Sequence, residues 1–165
     1  MNILLKICTQ CTLCTFNSIL GGVGGMFMQA VLNATEVRAN FGGFIDNVVH
    51  QRPQAIKRNR DVIVALSQDH LKSALSIYEF TIEFEQDEDG RYAGSIEQIP
   101  DIVADGETLE ELRIELAHHL VEYAVDYYAD FNRYYNSTNC RSHANYILRV
   151  LLEDDPGIVL GMLHA

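Results

Sequence analysis

An apolar stripe between Leu109 and Phe131 constrains the fold of this chain more than any other feature. Leucine, alanine and aromatic residues recur there at helical spacing. These residues are Leu109, Leu112, Leu116, Leu120, Ala124, Tyr127 and Phe131. Just before the stripe, Thr108 and Glu111 have the spacing of a capping box, which starts a helix. The sequence therefore predicts one long amphipathic helix in this region.

Alternating residues before that helix predict a half-buried strand with an acidic outer face. The apolar positions are Tyr78, Phe80, Ile82 and Phe84, and the polar positions between them are Glu79, Thr81, Glu83 and Glu85. Asp89-Gly90 is a hairpin signal, and Tyr92 and Ile96 lie on the expected return strand. After the helix, the apolar run 146–152 predicts a further strand. Asp155-Pro156 predicts the cap of a last helix that ends near Leu163.

Residues 28–75 predict a smaller unit in the order strand, helix, hairpin, helix. A short strand over 29–32 is followed by a capping box at 33–36 and by one amphipathic helix that ends near His50. Gly42 and Gly43 lie in the middle of this helix, where each costs about 1 kcal/mol relative to alanine. Residues 54–58 and 62–66 predict a hairpin, and Ser67 predicts the cap of a helix over 68–75.

Charge divides the chain at the same place. The whole chain has a net charge of −11 at pH 7, but residues 28–75 contain six Lys or Arg against four Asp or Glu. Residues 76–165 contain five Arg against 19 Asp or Glu. This asymmetry is compatible with a polyanion as partner of the first part and a basic protein as partner of the second, or with two solvated faces. No apolar run approaches the roughly 20 residues that span a bilayer.

The stretch AVLNATEVRANFGGFIDNVVHQRPQAIKRNRDVIVALSQDHLKSAL resembles the Phd/YefM family of antitoxins. The shared features are the first helix with Arg-x-Asn, the Ile-Lys-Arg strand with its basic turn, and the Ser-led helix. The resemblance implies a homodimer or higher homo-oligomer that binds operator DNA. It places DNA-contacting arginines at Arg38 and Arg58, with Lys57 and Arg60 flanking the second.

The second part resembles the HicB antitoxin fold through a turn motif, a proline-centred turn and the start of the long helix. The matching residues are Asp89, Gly90, Tyr92, Pro100, Gly106, Thr108 and Glu111, whereas Asp101 and Leu112 depart from the usual pattern. The resemblance implies a partly RNase H-like ββαβ domain that binds a toxin, typically a small, basic, HicA-like RNase. We predict toxin contacts on the acidic, tyrosine-bearing surface, at Glu79, Glu83, Glu85 and Tyr92.

The first 27 residues differ from the rest of the chain. Cys8, Cys11 and Cys14 form C-x-x-C-x-x-C, which is compatible with a metal site but provides only three thiolates. A targeting segment is an alternative, although polar residues interrupt its apolar run. The codons of Gly24-Gly25 can contain the ribosome-binding sequence GGAGG, and Met28 follows at a distance that suits a start codon. We therefore predict three segments: a mis-assigned leader (1–27), a DNA-binding and dimerisation module (28–75) and a toxin-neutralising domain (76–165).

The two resemblances together imply an α+β, cytoplasmic, type II antitoxin that represses its own operon, and we predict no catalytic residues, metal or cofactor. Glu115, His118, His119 and Glu122 share helical turns, as metal ligands do, but such pairs are also ordinary on exposed helices. Two alternatives are a metal-dependent nuclease of RNase H-like fold and a ligand-sensing transcription regulator without a toxin. A nuclease requires carboxylates that converge on metal ions.

Overall fold

The computed structural model describes residues 31–164, which form two β-sheets and seven α-helices in an α+β arrangement. The predicted leader, residues 1–27, lies outside the described residues. The first sheet consists of β1 (Val31–Asn33), β2 (Gln54–Arg58) and β3 (Asp61–Ala65). Their order is β1-β2-β3, with β1 parallel to β2 and β2 antiparallel to β3.

The predicted hairpin is confirmed, and its second strand, β3, begins one residue earlier than expected. Arg58 is paired with Asp61, so Asn59 and Arg60 form the tip. Asn59 has a φ of 56°, a left-handed conformation that asparagine tolerates better than most residues. The tight tip therefore holds the basic residues at the end of the sheet.

The prediction of one continuous first helix was wrong. The chain forms α1 (Ala34–Ala39) and α2 (Phe41–His50), separated at Asn40, whose φ and ψ of −136° and 60° are not helical. The Asn40 side chain accepts a hydrogen bond from the Gly43 amide at 3.3 Å and so caps α2. The two glycines thus lie in the first turn of a second helix, where the asparagine side chain folds over Gly43.

The first sheet and these helices share a small core. Val37, Phe44 and Val48 are buried, and Leu32, Ile56 and Ala65 pack against them. The next helix, α3 (Gln68–Leu75), is confirmed with its Ser67 cap. It also contacts the second part of the chain, since Lys72 Nζ lies 2.7 Å from Glu153 Oε2.

The second sheet consists of β4 (Phe80–Gln86), β5 (Tyr92–Ile96), β6 (Ile99–Gly106) and β7 (Leu163–His164). Its order is β6-β5-β4-β7; the first three strands form an antiparallel meander, and β7 is parallel to β4. The observed order therefore has three strands before the long helix, where the ββαβ expectation has two. The helix α4 (Leu109–Ala129) begins at the predicted Thr108 cap.

The prediction of a strand at 146–152 was also wrong, because this segment is the helix α6 (Ala144–Leu151). Ala144, Ile147 and Val150 are its buried residues, and their spacing of three matches one helical face. A short apolar run is compatible with either structure when periodicity alone is considered. Packing of this face against α4 decides in favour of the helix.

Two helix ends differ from the predictions. The long helix ends at Ala129, and Phe131 belongs to α5 (Phe131–Asn136), because Asp130 has a non-helical backbone. The last helix, α7 (Pro156–Gly161), ends before Leu163, which instead pairs with Phe80 as part of β7. Among residues 31–164, no helix is both long and apolar enough to cross a membrane.

The larger core lies between the second sheet and the helices. The buried side chains from α4 include Leu112, Leu116, Leu120 and Tyr127, which confirms the predicted stripe. Gly94 allows this packing, because a Cβ at that position would lie 2.5 Å from Glu83 O and 3.2 Å from Leu112 Cδ2. The packing leaves the opposite face of the sheet and the first sheet's hairpin open to solvent.

Candidate nucleic-acid and partner interfaces

A basic cleft forms where the first strand, the first helix and the hairpin meet. Parallel pairing of β1 and β2 puts Asn33 opposite Lys57, and α1 starts directly after Asn33. Arg38 lies one helical turn further on. The cleft is lined by Val31, Leu32, Asn33, Ala34, Thr35, Arg38, Lys57, Arg58 and Asn59. The fold thus brings together three of the four predicted DNA-contacting cations, while Arg60 lies on the exposed tip outside the lining.

The charges of these cations are not neutralised by neighbours within the described part of the chain. No carboxylate there lies within 4.0 Å of Arg38, Lys57, Arg58 or Arg60. Arg91, in contrast, binds Asp105, whose hydrogen bond and charge raise the pKa of the guanidinium above its ordinary value. The exposed cations of the cleft are therefore available for an anionic ligand.

The capping box fixes one wall of the basic cleft. The Thr35 amide donates to Asn33 Oδ1 at 2.9 Å, and the Asn33 amide donates to Glu36 Oε2 at 2.9 Å. These two bonds satisfy backbone donors that a helix start otherwise leaves open. They hold α1 at a defined angle to β1, so the position of Arg38 relative to Lys57 is set by the backbone.

A second feature is an apolar surface on α2 and β3. Its side chains are large and exposed, and they are Phe41, Ile45, Val49, Val62, Ile63 and Val64. Phe41 and Ile63 are each 60% exposed. In the described residues β3 is also an edge strand, so one side of its backbone has no strand partner. Exposed apolar groups beside an open strand edge are typical of a protein–protein interface.

The open face of the second sheet is acidic. Glu83 is opposite Ser95, which is opposite Val103; Glu85 is opposite Ala93, which is opposite Asp105. An acidic cleft follows these rows and extends to α4; it is lined by Glu83, Phe84, Glu85, Ala93, Gly94, Ser95, Val103, Ala104, Asp105, Glu115 and His119. Two of the predicted toxin contacts therefore share this cleft.

The other two predicted toxin contacts do not line the acidic cleft. Glu79 is exposed just before β4. Tyr92 is half-buried and packs against Phe84, with ring centroids 5.9 Å apart. Asp105, in contrast, also lines the cleft, although no pattern in the sequence selects it, because strand pairing puts it in the same cross-strand row as Glu85, with Ala93 between them.

The histidines of α4 lie at the edge of the acidic cleft. Glu115, His118 and His119 each present a ligand atom within 4.8 Å of the other two. His119 Nδ1 lies 3.0 Å from the Val103 carbonyl oxygen, and His118 Nε2 lies 3.8 Å from Glu122 Oε1. Their closeness follows from the helix, but the contact with β6 depends on the tertiary fold.

The predicted tyrosine-rich region divides into a buried and an exposed set. Tyr127 is fully buried, and Tyr123 and Tyr134 pack around it, whereas Tyr128 is 61% exposed. Tyr123 also bonds the buried His143, with 2.9 Å between its hydroxyl and Nδ1. Burial raises the pKa of Tyr123 and lowers the pKa of His143, so both groups stay neutral at pH 7.

Comparison with known proteins gives two similarities. The PHD-like family model, described as antitoxin of toxin–antitoxin, RelE/RelB, TA system, matches residues 28–164. A crystal structure from Syntrophomonas wolfei subsp. wolfei, described as the antitoxin part of a proposed toxin/antitoxin system, is 41% identical with a TM-score of 0.78. That similarity covers 83% of this chain and 98% of the other. No curated protein sequence matches the chain. The family model runs through both sheets.

Proposed function

The chain belongs to the PHD-like family of antitoxins of toxin–antitoxin systems, and from this premise we propose that it neutralises a cognate toxin and represses its own operon. The finer architecture in this proposal is a Phd/YefM-like part followed by a HicB-like part. Operator binding places this activity in the cytoplasm. Family membership also favours a regulatory role over the nuclease and ligand-sensor alternatives.

The observation that carries the DNA-binding proposal is the basic cleft. Arg38 comes from a helix and Lys57 and Arg58 come from a hairpin, yet all three line one concave surface. Cations without carboxylate partners lose no existing ion pair when they meet phosphates. Most protein–DNA hydrogen bonds go to the backbone, and arginine is also the usual partner of guanine edges. Arg60, on the hairpin tip, is proposed to contact a flanking phosphate.

A homodimer would bury the apolar surface and complete the operator-binding unit. The described core cluster of the first part is small, with three buried side chains, and units of this size commonly need oligomerisation. The exposed apolar residues of α2 and β3 are the ones that such a partner would cover. A two-fold dimer presents the basic cleft twice, so the operator is expected to be an inverted repeat.

The acidic cleft is the proposed surface for the toxin. Glu83 and Glu85 are exposed on one sheet face, within a part of the chain that carries 19 acidic residues against five arginines. A small basic protein is the complementary partner, and a HicA-like RNase is the first candidate. Complementary charge of this kind raises association rates and selects partners. Glu79 and Tyr92 would act at the margin of this contact.

Operator binding is tested with DNA from upstream of the gene. Arg58→Ala should weaken binding by about 1–3 kcal/mol if the contact is to a base. Lys57→Ala should weaken binding to all sequences and reduce the slope of log affinity against log salt by about one per cleft. Arg133→Ala is the matched control, because this side chain is 80% exposed on α5, away from the basic cleft. The measurement is a salt titration of binding for each protein.

Unchanged DNA affinity in both hairpin variants, with an unchanged melting temperature, would contradict the operator-binding proposal. Toxin binding is tested separately with Glu83→Lys/Glu85→Lys. This variant should lose co-purification with the basic protein from a neighbouring reading frame and should no longer restore growth. Asp126→Lys/Asp154→Lys, an equal double charge reversal at exposed positions outside the acidic cleft, should behave as the wild type.

A further inference from the structure

We propose that Glu115, His118 and His119 bind a zinc ion on the exposed face of α4. At 100° per residue, the three side chains and Glu122 fall within an arc of about 100° on the helix. One ligand atom from each of the first three lies within 4.8 Å of the others. Two imidazoles and a carboxylate are a common donor set for a divalent transition metal. The site is thus formed by a single element that the fold holds rigidly.

The contact between His119 and β6 is an independent observation that supports this site. A carbonyl oxygen only accepts, so His119 Nδ1 must carry the proton that it donates to Val103 O at 3.0 Å. In the neutral ring, the lone pair then lies on Nε2. Metal-binding histidines almost always donate their other ring N–H to a carbonyl or carboxylate in this way. The sheet therefore fixes the tautomer of His119 and leaves Nε2 as the nitrogen that can bind a metal.

The present spacing is compatible with zinc after small side-chain rotations. Zinc–ligand bonds of about 2.1 Å at tetrahedral angles place ligand atoms about 3.4 Å apart. Contraction from the observed separation requires only movement of side-chain ends, and His118 and Glu115 are exposed. Glu122 is outside this cluster, but its Oε1 lies 3.8 Å from His118 Nε2, and a rotation of its exposed side chain would bring it to the fourth position. Without it, the fourth position is open to water.

The proposed ion would lie at the edge of the acidic cleft, since Glu115 and His119 line it. A bound dication would lower the net negative charge of this cleft, which Asp105 also lines. It would also polarise the His119 ring and strengthen the hydrogen bond that joins α4 to β6. Zinc binding is therefore expected to stabilise the second sheet against unfolding.

The test is calorimetric titration of ZnCl₂ into the full-length chain and variants. Thiolates also bind zinc, so each variant is made in the native chain and in a background in which Cys8, Cys11 and Cys14 are serine. His118→Ala and Glu115→Gln should each weaken zinc binding at least ~10-fold, since even indirect partners of metal ligands contribute that much. Zinc should raise the melting temperature of the parent more than that of either variant.

His50→Ala is the matched control, because His50 is an exposed helical histidine outside the cluster, and it should bind zinc as the parent does. In the serine background, absence of zinc binding by the parent would overturn the proposal. Equal zinc affinity in His118→Ala and the parent would overturn it as well. Both substituted side chains are exposed, so the variants should fold, and their melting temperatures without zinc check this.

Discussion

The Tyr123 hydroxyl provides a sharp test of how the helical layer is stabilised. It forms a hydrogen bond with Nδ1 of His143, a side chain only 5% exposed, at 2.9 Å. Tyr123→Phe keeps the aromatic ring, which packs edge-on against Tyr127 and Tyr134. The substitution leaves a buried ring nitrogen of His143 without its hydrogen-bond partner, which costs about 1–3 kcal/mol. At this chain length each kcal/mol lowers the melting temperature by roughly 2–4 °C.

Urea unfolding followed by circular dichroism measures this difference in the free energy of unfolding. Tyr128→Phe is the control, because the Tyr128 side chain is 61% exposed and its hydroxyl makes no hydrogen bond among the described residues. Its loss should change stability by no more than about 0.5 kcal/mol. Equal stability of the two variants would refute the reasoning, since it would mean that the hydrogen bond to His143 contributes nothing net.

Other predictions follow from single contacts. Burial lowers the pKa of His143 below 6.5, so as the pH falls the unfolded chain is protonated at this histidine before the folded chain. The free energy of unfolding, measured in urea, should therefore be highest above about pH 6.5 and should decrease as the pH falls. His143→Gln should reduce this dependence of stability on pH. Gly42→Ala should stabilise the protein by up to about 1 kcal/mol in urea unfolding, because a Cβ there meets no described atom. Gly43→Ala should gain less or destabilise, because its Cβ would lie 2.7 Å from Asn40 Nδ2 and displace the cap of α2; equal effects of the two glycine variants would contradict this account. Gly94→Ala should destabilise by about 1–3 kcal/mol in thermal melts, because its Cβ would lie 2.5 Å from a backbone oxygen; a wild-type melting temperature would count against that packing.

Local chemistry determined the elements that have their own start and stop signals. The caps at Asn33, Ser67 and Thr108 each begin a helix as predicted. The hairpin and the alternating strand at 80–86 also follow from short-range pattern, because turn residues and strand alternation act within a few positions. The apolar stripe identified the buried face of α4 as far as Tyr127.

Where local signals conflict, the tertiary structure decided. The run at 146–152 is apolar enough for a strand, but its buried face packs on α4 as a helix. The sequence around Asn40 fits a continuous helix, yet the backbone of Asn40 is not helical and its side chain caps α2, so the predicted helix is divided in two. Leu163 leaves the last helix because a vacant edge of β4 accepts it as a parallel strand.

The sequence by itself determined which residues carry charge, which faces are apolar and where most helices begin, because these properties depend on near neighbours. It identified Arg38, Lys57, Arg58 and Arg60, and also Glu83 and Glu85, as groups of interest. Only the tertiary structure decided that three of the cations line one cleft and that His119 meets Val103. Those relations join residues far apart in the chain, and strand pairing and helix packing, which bury apolar area over long sequence separations, are what bring them together.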